Sequence, residues 1–231
     1  MAVFLFGSAK FAQNFKKSMM NNDNFGALFD LDGVIIDSEG TYSLFWEEID
    51  RIYPTGIDDF AKYIKGTTLP SILEHFPDEE VRTDIIGRLK GFQESMEYSL
   101  FPGAEDFLSE LNQRRIPAAI VTSSDQGKMQ HLFKQLPHLA DYFDAIIDAS
   151  LVTRSKPDPQ GYLLGAEAIG IDPGNCFVFE DSLQGLRAGR AAGATVVALA
   201  TTYPRTTVAP LASLVLDSFE NFTVNELLAL R

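Results

Sequence analysis

The chain has 231 residues, of which 45% are hydrophobic, and its 19 basic against 32 acidic residues leave a formal net charge of −13. This length allows one large domain or two modest ones, and the acidic balance excludes the basic face that nucleic-acid or anionic-membrane binding requires, so we expect neither partner. The single cysteine, Cys176, excludes an internal disulfide, and no apolar run reaches the length of a transmembrane helix, so we expect a cytoplasmic protein.

The first half of the chain predicts one strand followed by a block of helices. Residues 1–23 form an N-terminal extension in this interpretation, and the apolar run 27–29 predicts a buried strand that ends at an acidic pair. Residues 41–100 carry large apolar side chains at helical spacing and therefore predict amphipathic helices. Pro102-Gly103 ends that pattern.

The second half alternates between strands and helices. Short apolar runs typical of buried strands recur, with helical stripes between them, at 117–121, 145–147, 176–179 and 195–199. Strands that alternate with helices predict a parallel sheet with helices on both faces. The expected fold is α/β, a doubly wound parallel Rossmann-like sheet with an inserted small helical cap domain. The core would comprise residues 24–40 and 101–231, and the cap residues 41–100.

Polar side chains stand at the ends of four predicted strands, where doubly wound sheets bind ligands. They are Asp30 and Asp32, Thr122 to Ser124, Lys156, and the pair Glu180-Asp181. Each has an ordinary alternative: helix-capping hydroxyls, a solvated lysine, or acids at a helix start. Their occurrence at one sheet edge in chain order favours a shared site. Asp30 and Asp32 would share a strand face and repel each other, which indicates a divalent metal between them.

These motifs resemble those of the haloacid dehalogenase superfamily, in the helical-cap subgroup of β-phosphoglucomutase-like phosphatases. The resemblance covers residues 25–201 and is carried by Asp30-Leu31-Asp32-Gly33-Val34, Val121-Thr122-Ser123-Ser124, Lys156-Pro157 and Phe179-Glu180-Asp181-Ser182. It implies a phosphoric monoester hydrolase that acts on a small phosphorylated metabolite through an aspartyl-phosphate, with Mg²⁺ as cofactor.

The resemblance and the chemistry of phosphoryl transfer together assign roles to these residues. Asp30 is the expected nucleophile, and Asp32 is the expected proton carrier. Thr122, Ser123 and Lys156 are expected to hold the phosphoryl oxygens. The expected metal ligands are Asp30, Glu180, Asp181 and, by the family resemblance, Asp32 through its backbone carbonyl.

Residues of the predicted cap give information about the substrate. The segment Lys65-Gly66-Thr67-Thr68 resembles a specificity loop, so Lys65 and Thr67 are candidate substrate contacts. Mutases of this subgroup carry a histidine where this chain has Tyr42 and a cap arginine where it has Leu69. A leucine cannot bind the second phosphate of a sugar bisphosphate, whereas arginine is suited to it. The sequence therefore favours a sugar-phosphate hydrolase over a mutase.

Three alternatives stay open at this point. A β-phosphoglucomutase-type enzyme would yield an isomer rather than free phosphate, and a non-catalytic phosphate-binding module would keep only the pocket. The intact pair of Asp30 and Asp32 argues against the binding module. Haloacid dehalogenation needs no metal and would not retain Asp32 or the pair Glu180-Asp181. We expect a monomer or a weak dimer.

Overall fold

The computed structural model describes residues 25–231, so the predicted extension at 1–23 lies outside the described residues. The six strands are β1 Gly26–Phe29, β2 Ala118–Val121, β3 Ala145–Ile147, β4 Cys176–Glu180, β5 Thr195–Leu199 and β6 Leu214–Leu216. They form one sheet in the order β3-β2-β1-β4-β5-β6, and every neighbouring pair is parallel. The predicted parallel α/β fold is thereby confirmed, with β6 as an additional, half-buried edge strand.

Four helices follow β1 and pack around a hydrophobic cluster of their own, which includes Trp46. They are α1 Glu39–Ile52, α2 Phe60–Tyr63, α3 Leu69–Leu73 and α4 Glu79–Ser95, here called the helical block. The two segments that connect the block to the sheet lie next to each other. The N–H of Asp37 donates to the Ser99 carbonyl, and the N–H of Phe101 donates to the Ile35 carbonyl, both at 2.9 Å.

The remaining helices cover the sheet. They are α5 Ala104–Arg114, α6 Gln126–Gln135, α7 Gln160–Ile169, α8 Leu183–Ala191, α9 Arg205–Val208 and α10 Val224–Leu228, with 3₁₀ turns at Pro137–Tyr142, Ala149–Leu151, Pro173–Asn175 and Ala209–Leu211. Ala27 and Phe29 belong to one hydrophobic cluster and Leu28 to another, so both faces of β1 are buried. Within the described residues, no helix combines the length and apolar character that crossing a membrane requires.

Candidate active site

Asp30 lies at the carboxyl end of β1, where its backbone is fixed by the neighbouring strand. Its N–H donates to the carbonyl of Phe179 in β4 at 3.0 Å, and the residue is only 7% exposed. Its Oδ1 accepts a hydrogen bond from Lys156 Nζ at 2.5 Å, although the two residues are 126 positions apart. The structure thus brings the first and third predicted motifs into direct contact.

Lys156 connects the loops that follow three different strands. Besides Asp30, its buried ammonium contacts Oε1 of Glu180 at 2.6 Å and the carbonyl of Val121 at 3.3 Å. Burial alone would lower the pKa of Lys156, but the charges of Asp30 and Glu180 raise it above its usual value, so the lysine stays protonated. A fixed positive charge therefore lies between two acids of the site.

Glu180 is the last residue of β4, and protein donors surround its carboxylate. Oε1 accepts from Lys156 and from the Tyr162 hydroxyl at 2.9 Å, while Oε2 accepts from the N–H of Asp181 at 3.0 Å and from the N–H and hydroxyl of Ser182 at 2.9 and 3.0 Å. A Cβ at Gly185 would lie 1.6 Å from Oε1, so only glycine lets α8 begin this close to the carboxylate. The side chain of Glu180 is consequently held in one orientation.

Three buried carboxylates form a group that could hold a metal ion. Oxygens of Asp30, Glu180 and Asp181 all lie within 4.8 Å of one another. Burial raises the pKa of Asp30 to about 8, while Lys156 opposes this rise and the charges of Glu180 and Asp32 add to it. An all-oxygen donor set suits Mg²⁺, and a divalent charge relieves the repulsion among the acids. The residues present therefore fit a metal of this kind.

Asp32 has a different environment from Asp30. Its Oδ1 accepts from Lys128 Nζ and from the Ser38 hydroxyl, and its Oδ2 accepts from the Ser124 hydroxyl at 2.9 Å. Burial alone would raise the pKa of Asp32, but the charge of Lys128 and these hydrogen bonds hold it below its usual value. Each acid of the first motif bonds to a lysine, Asp30 to Lys156 and Asp32 to Lys128, but only Asp30 also belongs to the group of carboxylates that could hold a metal.

Thr122 and Ser123 follow β2, as the second motif predicts. Thr122 is buried, and its N–H donates to the carbonyl of Ile147 in β3 at 2.9 Å. Its hydroxyl oxygen accepts from the N–H of Ser124 at 3.1 Å, which fixes the oxygen and leaves the hydroxyl proton for a further acceptor. This arrangement can present an O–H donor to an anion.

A cavity of about 110 Å³ lies at this edge of the sheet. The core residues that line it include Asp30, Asp32, Thr122, Ser123, Ser124, Lys128 and Asp181. Residues 62–71, here called the roof segment, contribute Lys65 and Thr67, the two predicted specificity residues, together with Leu69. The apolar Trp46 also lines the cavity, so polar groups and a hydrocarbon surface meet in one small space.

Gly66 brings the roof segment into direct contact with two loops of the core. Its carbonyl accepts from the Ser123 hydroxyl at 2.9 Å. Its φ of +79° is left-handed, and a Cβ at this position would lie 2.4 Å from Oγ of Ser182. Glycine alone meets both conditions. The predicted specificity loop is therefore pressed against the loops that carry Thr122 and Asp181.

Neutral hydrogen bonds make further contacts between the roof segment and the core. Oγ of Ser155 lies 2.6 Å from Oγ1 of Thr68 and 2.8 Å from Oγ of Ser71. The hydroxyl of Tyr203 donates to the carbonyl of Lys62 at 3.0 Å. Because Ser155 directly precedes Lys156, the roof segment also adjoins the loop of the buried lysine.

Sequence reasoning missed several residues that the structure brings to this site. Tyr162 belongs to an apolar helical stripe of the sequence and its side chain is buried, but its hydroxyl donates to Glu180, which the stripe does not indicate. Lys128 is not singled out by any family motif. Its one local signal is a lysine at the third position of a helix, in the first turn, where the helix dipole opposes a cation.

A doubly wound sheet with buried acids at its carboxyl edge has the site geometry of an α/β enzyme. The family model described as haloacid dehalogenase-like hydrolase matches residues 26–193, from β1 past the end of α8. The chain therefore belongs to the haloacid dehalogenase-like hydrolases, as its motifs indicated.

Named relatives agree with this assignment. Hexitol phosphatase A of Escherichia coli is 34% identical over 75% of this chain and 82% of its own length. A fructose-1-phosphate phosphatase of Escherichia coli is 31% identical over 74% of this chain and 94% of its own length. The crystal structure of a HAD hydrolase, family IA, variant 3, from Entamoeba histolytica has a TM-score of 0.76 at 27% identity and covers 89% of this chain and 98% of that chain. The predicted superfamily, enzyme class and fold are confirmed.

Proposed function

We propose that this enzyme hydrolyses a phosphomonoester of a small carbohydrate with Mg²⁺ as cofactor, through an aspartyl-phosphate on Asp30. The observation that carries the proposal is the contact of Asp30 with Lys156 beside the acidic group formed with Glu180 and Asp181. In a hydrolase of this family, that arrangement combines a carboxylate nucleophile with fixed positive charge for the phosphoryl oxygens.

The reaction divides between the two acids of the first motif. A carboxylate oxygen of Asp30 attacks phosphorus and forms the aspartyl-phosphate, while Asp32 gives its proton to the departing oxygen. Asp32 then takes a proton from the water that attacks the phosphorus of the intermediate. This second step restores the Asp30 carboxylate and releases inorganic phosphate. Asp32, whose pKa is held low, is ionised in the structure, as the second step requires, and must bind a proton together with the substrate for the first step. A divalent cation beside Asp30 would favour the ionised form that attacks phosphorus.

The metal would be held by carboxylate oxygens of Asp30 and Asp181 and by the backbone carbonyl of Asp32. When bound, Mg²⁺ supplies a divalent charge that offsets the negative charge of the nucleophile and of the phosphoryl group. Glu180 remains a candidate ligand, but its oxygens already accept five hydrogen bonds from protein donors. We therefore assign Glu180 mainly to orienting Lys156 and the loop of Asp181.

Thr122, Ser123 and Lys156 would hold the non-bridging oxygens of the phosphoryl group. The Thr122 hydroxyl has a proton to donate, and Lys156 remains charged at neutral pH. Hydrogen-bond donors that are fixed before the reaction stabilise the transition state without further reorganisation. The loss of one such donor costs roughly 3–4 kcal/mol of transition-state stabilisation.

The cavity favours a small monoester over a bisphosphate. Leu69 and Asp125 both line it, and neither side chain attracts a second phosphate. Of the two lysines among the described residues that line it, Lys128 is paired with Asp32 and Lys65 is the proposed carbohydrate contact. The relatives named hexitol phosphatase A and fructose-1-phosphate phosphatase support a polyol or sugar monophosphate. In this proposal Lys65 and Thr67 contact the carbohydrate and residues 41–100 act as the cap of a cytoplasmic enzyme.

A panel of phosphate esters with Mg²⁺ tests the proposal. It should contain a hexitol phosphate, fructose 1-phosphate, an aryl phosphate, and β-glucose 1-phosphate with and without a sugar bisphosphate. We expect release of inorganic phosphate from at least one carbohydrate ester. Formation of glucose 6-phosphate that depends on the bisphosphate would favour the mutase instead. Binding of phosphate with no turnover of any ester would identify a non-catalytic module.

A further inference from the structure

Lys128 is a buried cation that the roles proposed above do not use. It is the third residue of α6, and its N–H donates at 2.9 Å to the side chain of the N-cap residue Asp125. The residue is only 3% exposed. The first turn of a helix carries a partial positive charge, so local electrostatics oppose a lysine there. Tertiary contacts must therefore stabilise its ammonium group.

The ammonium lies between the core and the helical block. Nζ donates to Oδ1 of Asp32 and lies 4.2 Å from the ring centroid of Tyr42 in α1. Tyr42 packs edge to face against Phe92 of α4, with 5.2 Å between the ring centroids. A carboxylate and the face of an aromatic ring are both partners that stabilise a desolvated ammonium. The three groups Lys128, Asp32 and Tyr42 all line the cavity.

These contacts restrict the orientation of Asp32. Lys128 and Ser38 donate to one carboxylate oxygen, and Ser124 donates to the other. A carboxylate that is held at both oxygens by three donors from two separate parts of the chain cannot rotate freely. A proton carrier works best when its orientation is fixed before the substrate arrives.

We propose that Lys128 is a positioning residue that fixes the carboxyl group of Asp32 in the orientation that reaches the leaving oxygen of the substrate. The inference rests on the proposed function, in which Asp32 carries that proton. Lys128 acts on the reaction through Asp32, and Tyr42 holds the ammonium group from the side of the helical block.

The test compares two leaving groups in the variants Lys128→Met and Lys128→Arg. An alkyl phosphate needs a proton on its leaving oxygen, whereas 4-nitrophenyl phosphate releases a stable anion. We expect Lys128→Met to lower kcat/KM for the alkyl ester about 100-fold and for the aryl ester about tenfold or less. Lys128→Arg keeps the charge and should show the same selectivity with a smaller loss. Lys134→Met, on an exposed lysine of the same helix, should behave as wild type.

The outcomes separate this inference from the proposed function. The alkyl ester is a carbohydrate phosphate from the panel that the wild type hydrolyses, and a wild-type enzyme inactive towards every ester of the panel would refute the proposed function itself. If the wild type is active, equal losses for the two esters, or a smaller loss for the alkyl ester, would overturn the positioning role of Lys128. The charge-preserving variant keeps the test decisive if Lys128→Met fails to fold, because its ratio of alkyl to aryl activity must also fall.

Discussion

The core side and the roof side of the cavity are held by different kinds of interaction. On the core side, Lys156 bonds to Asp30 at 2.5 Å and to Glu180 at 2.6 Å, all three being buried ionisable groups. On the roof side, hydroxyl and carbonyl groups make the contacts, as between Ser155 and Thr68 at 2.6 Å. A neutral hydrogen bond contributes about 0.5–1.5 kcal/mol, whereas removing one partner of a buried ion pair costs about 3–5 kcal/mol.

This difference suggests how one molecule combines a rigid reaction centre with an accessible pocket. The charged core is costly to disturb, so the groups that handle the phosphoryl transfer keep their geometry. The roof segment is attached by contacts that water can replace at small cost, so we expect the roof segment rather than the core to move when a substrate enters. Changes on the core side should therefore abolish turnover or stability, and changes on the roof side should alter substrate affinity.

The largest effect is expected at the proposed nucleophile. Asp30→Asn keeps the size of the side chain but removes the attacking carboxylate, so kcat should fall by more than about 1,000-fold. Steady-state phosphate release measures this loss, and circular dichroism checks the fold. Asp141→Asn, on an exposed acid, is the matched control. Turnover within a few-fold of wild type in Asp30→Asn would remove Asp30 from the mechanism.

The second effect concerns the buried lysine. Lys156→Met leaves Asp30 and Glu180 without their shared cation, so the free energy of unfolding should fall by about 3–5 kcal/mol. Urea denaturation measures the change, and activity should be lost with it. Lys90→Met, on an exposed lysine of α4, should leave the stability unchanged. Equal stability of the two variants would contradict the view that buried charge holds the core side together.

Metal binding provides a further test of the core side, where the proposed metal ligands lie. Chelation should abolish turnover, and Mg²⁺ at about 100 times its dissociation constant should stabilise the fold by about 2.7 kcal/mol. Thermal denaturation with and without Mg²⁺ measures this directly. Asp181→Asn should reduce the stabilisation, because it removes one proposed ligand. Full activity in chelator, with no shift in melting temperature on adding Mg²⁺, would refute the metal site.

The smallest effect is expected on the roof side. Ser155→Ala removes two hydroxyl contacts to Thr68 and Ser71 but no charge, so stability should change by about 1 kcal/mol or less. KM should change two- to tenfold, which is the change in affinity that the free energy of one such hydrogen bond corresponds to. The value of kcat should stay within about twofold of wild type. Thr207→Ala, on an exposed hydroxyl of α9, serves as control. A loss of kcat as large as that of Asp30→Asn would show that the roof is part of the reaction centre.

The sequence predicted which strand ends carry the site residues better than it predicted which side chains contact one another. The end of each buried apolar run located Asp30, Thr122 and Glu180, because parallel strands bring their carboxyl ends to one edge. The short strand β6 was missed, since its residues are half-buried at the sheet edge and form a weak apolar signal.

Side-chain pairing could not be read from the sequence for a physical reason. Lys128 meets Asp32 across 96 positions, and Thr68 meets Ser155 across 87. The first pair depends on how two core loops meet at the sheet edge, and the second on how the helical block packs against the core. Hydrophobic periodicity carries no information on either. Tyr162 shows the same limit, because its position in an apolar helix stripe predicts burial correctly but not the bond from its hydroxyl to Glu180.

The most direct measurement of the central claim is the isolation of the phosphorylated enzyme. A radiolabelled phosphate ester is mixed with enzyme and Mg²⁺, quenched in acid within one turnover, and the digested peptides are mapped. The account predicts one labelled peptide, containing Asp30, with a label that alkali releases and that Asp30→Asn lacks. Phosphate release with no labelled protein, or a label on any other residue, would contradict it.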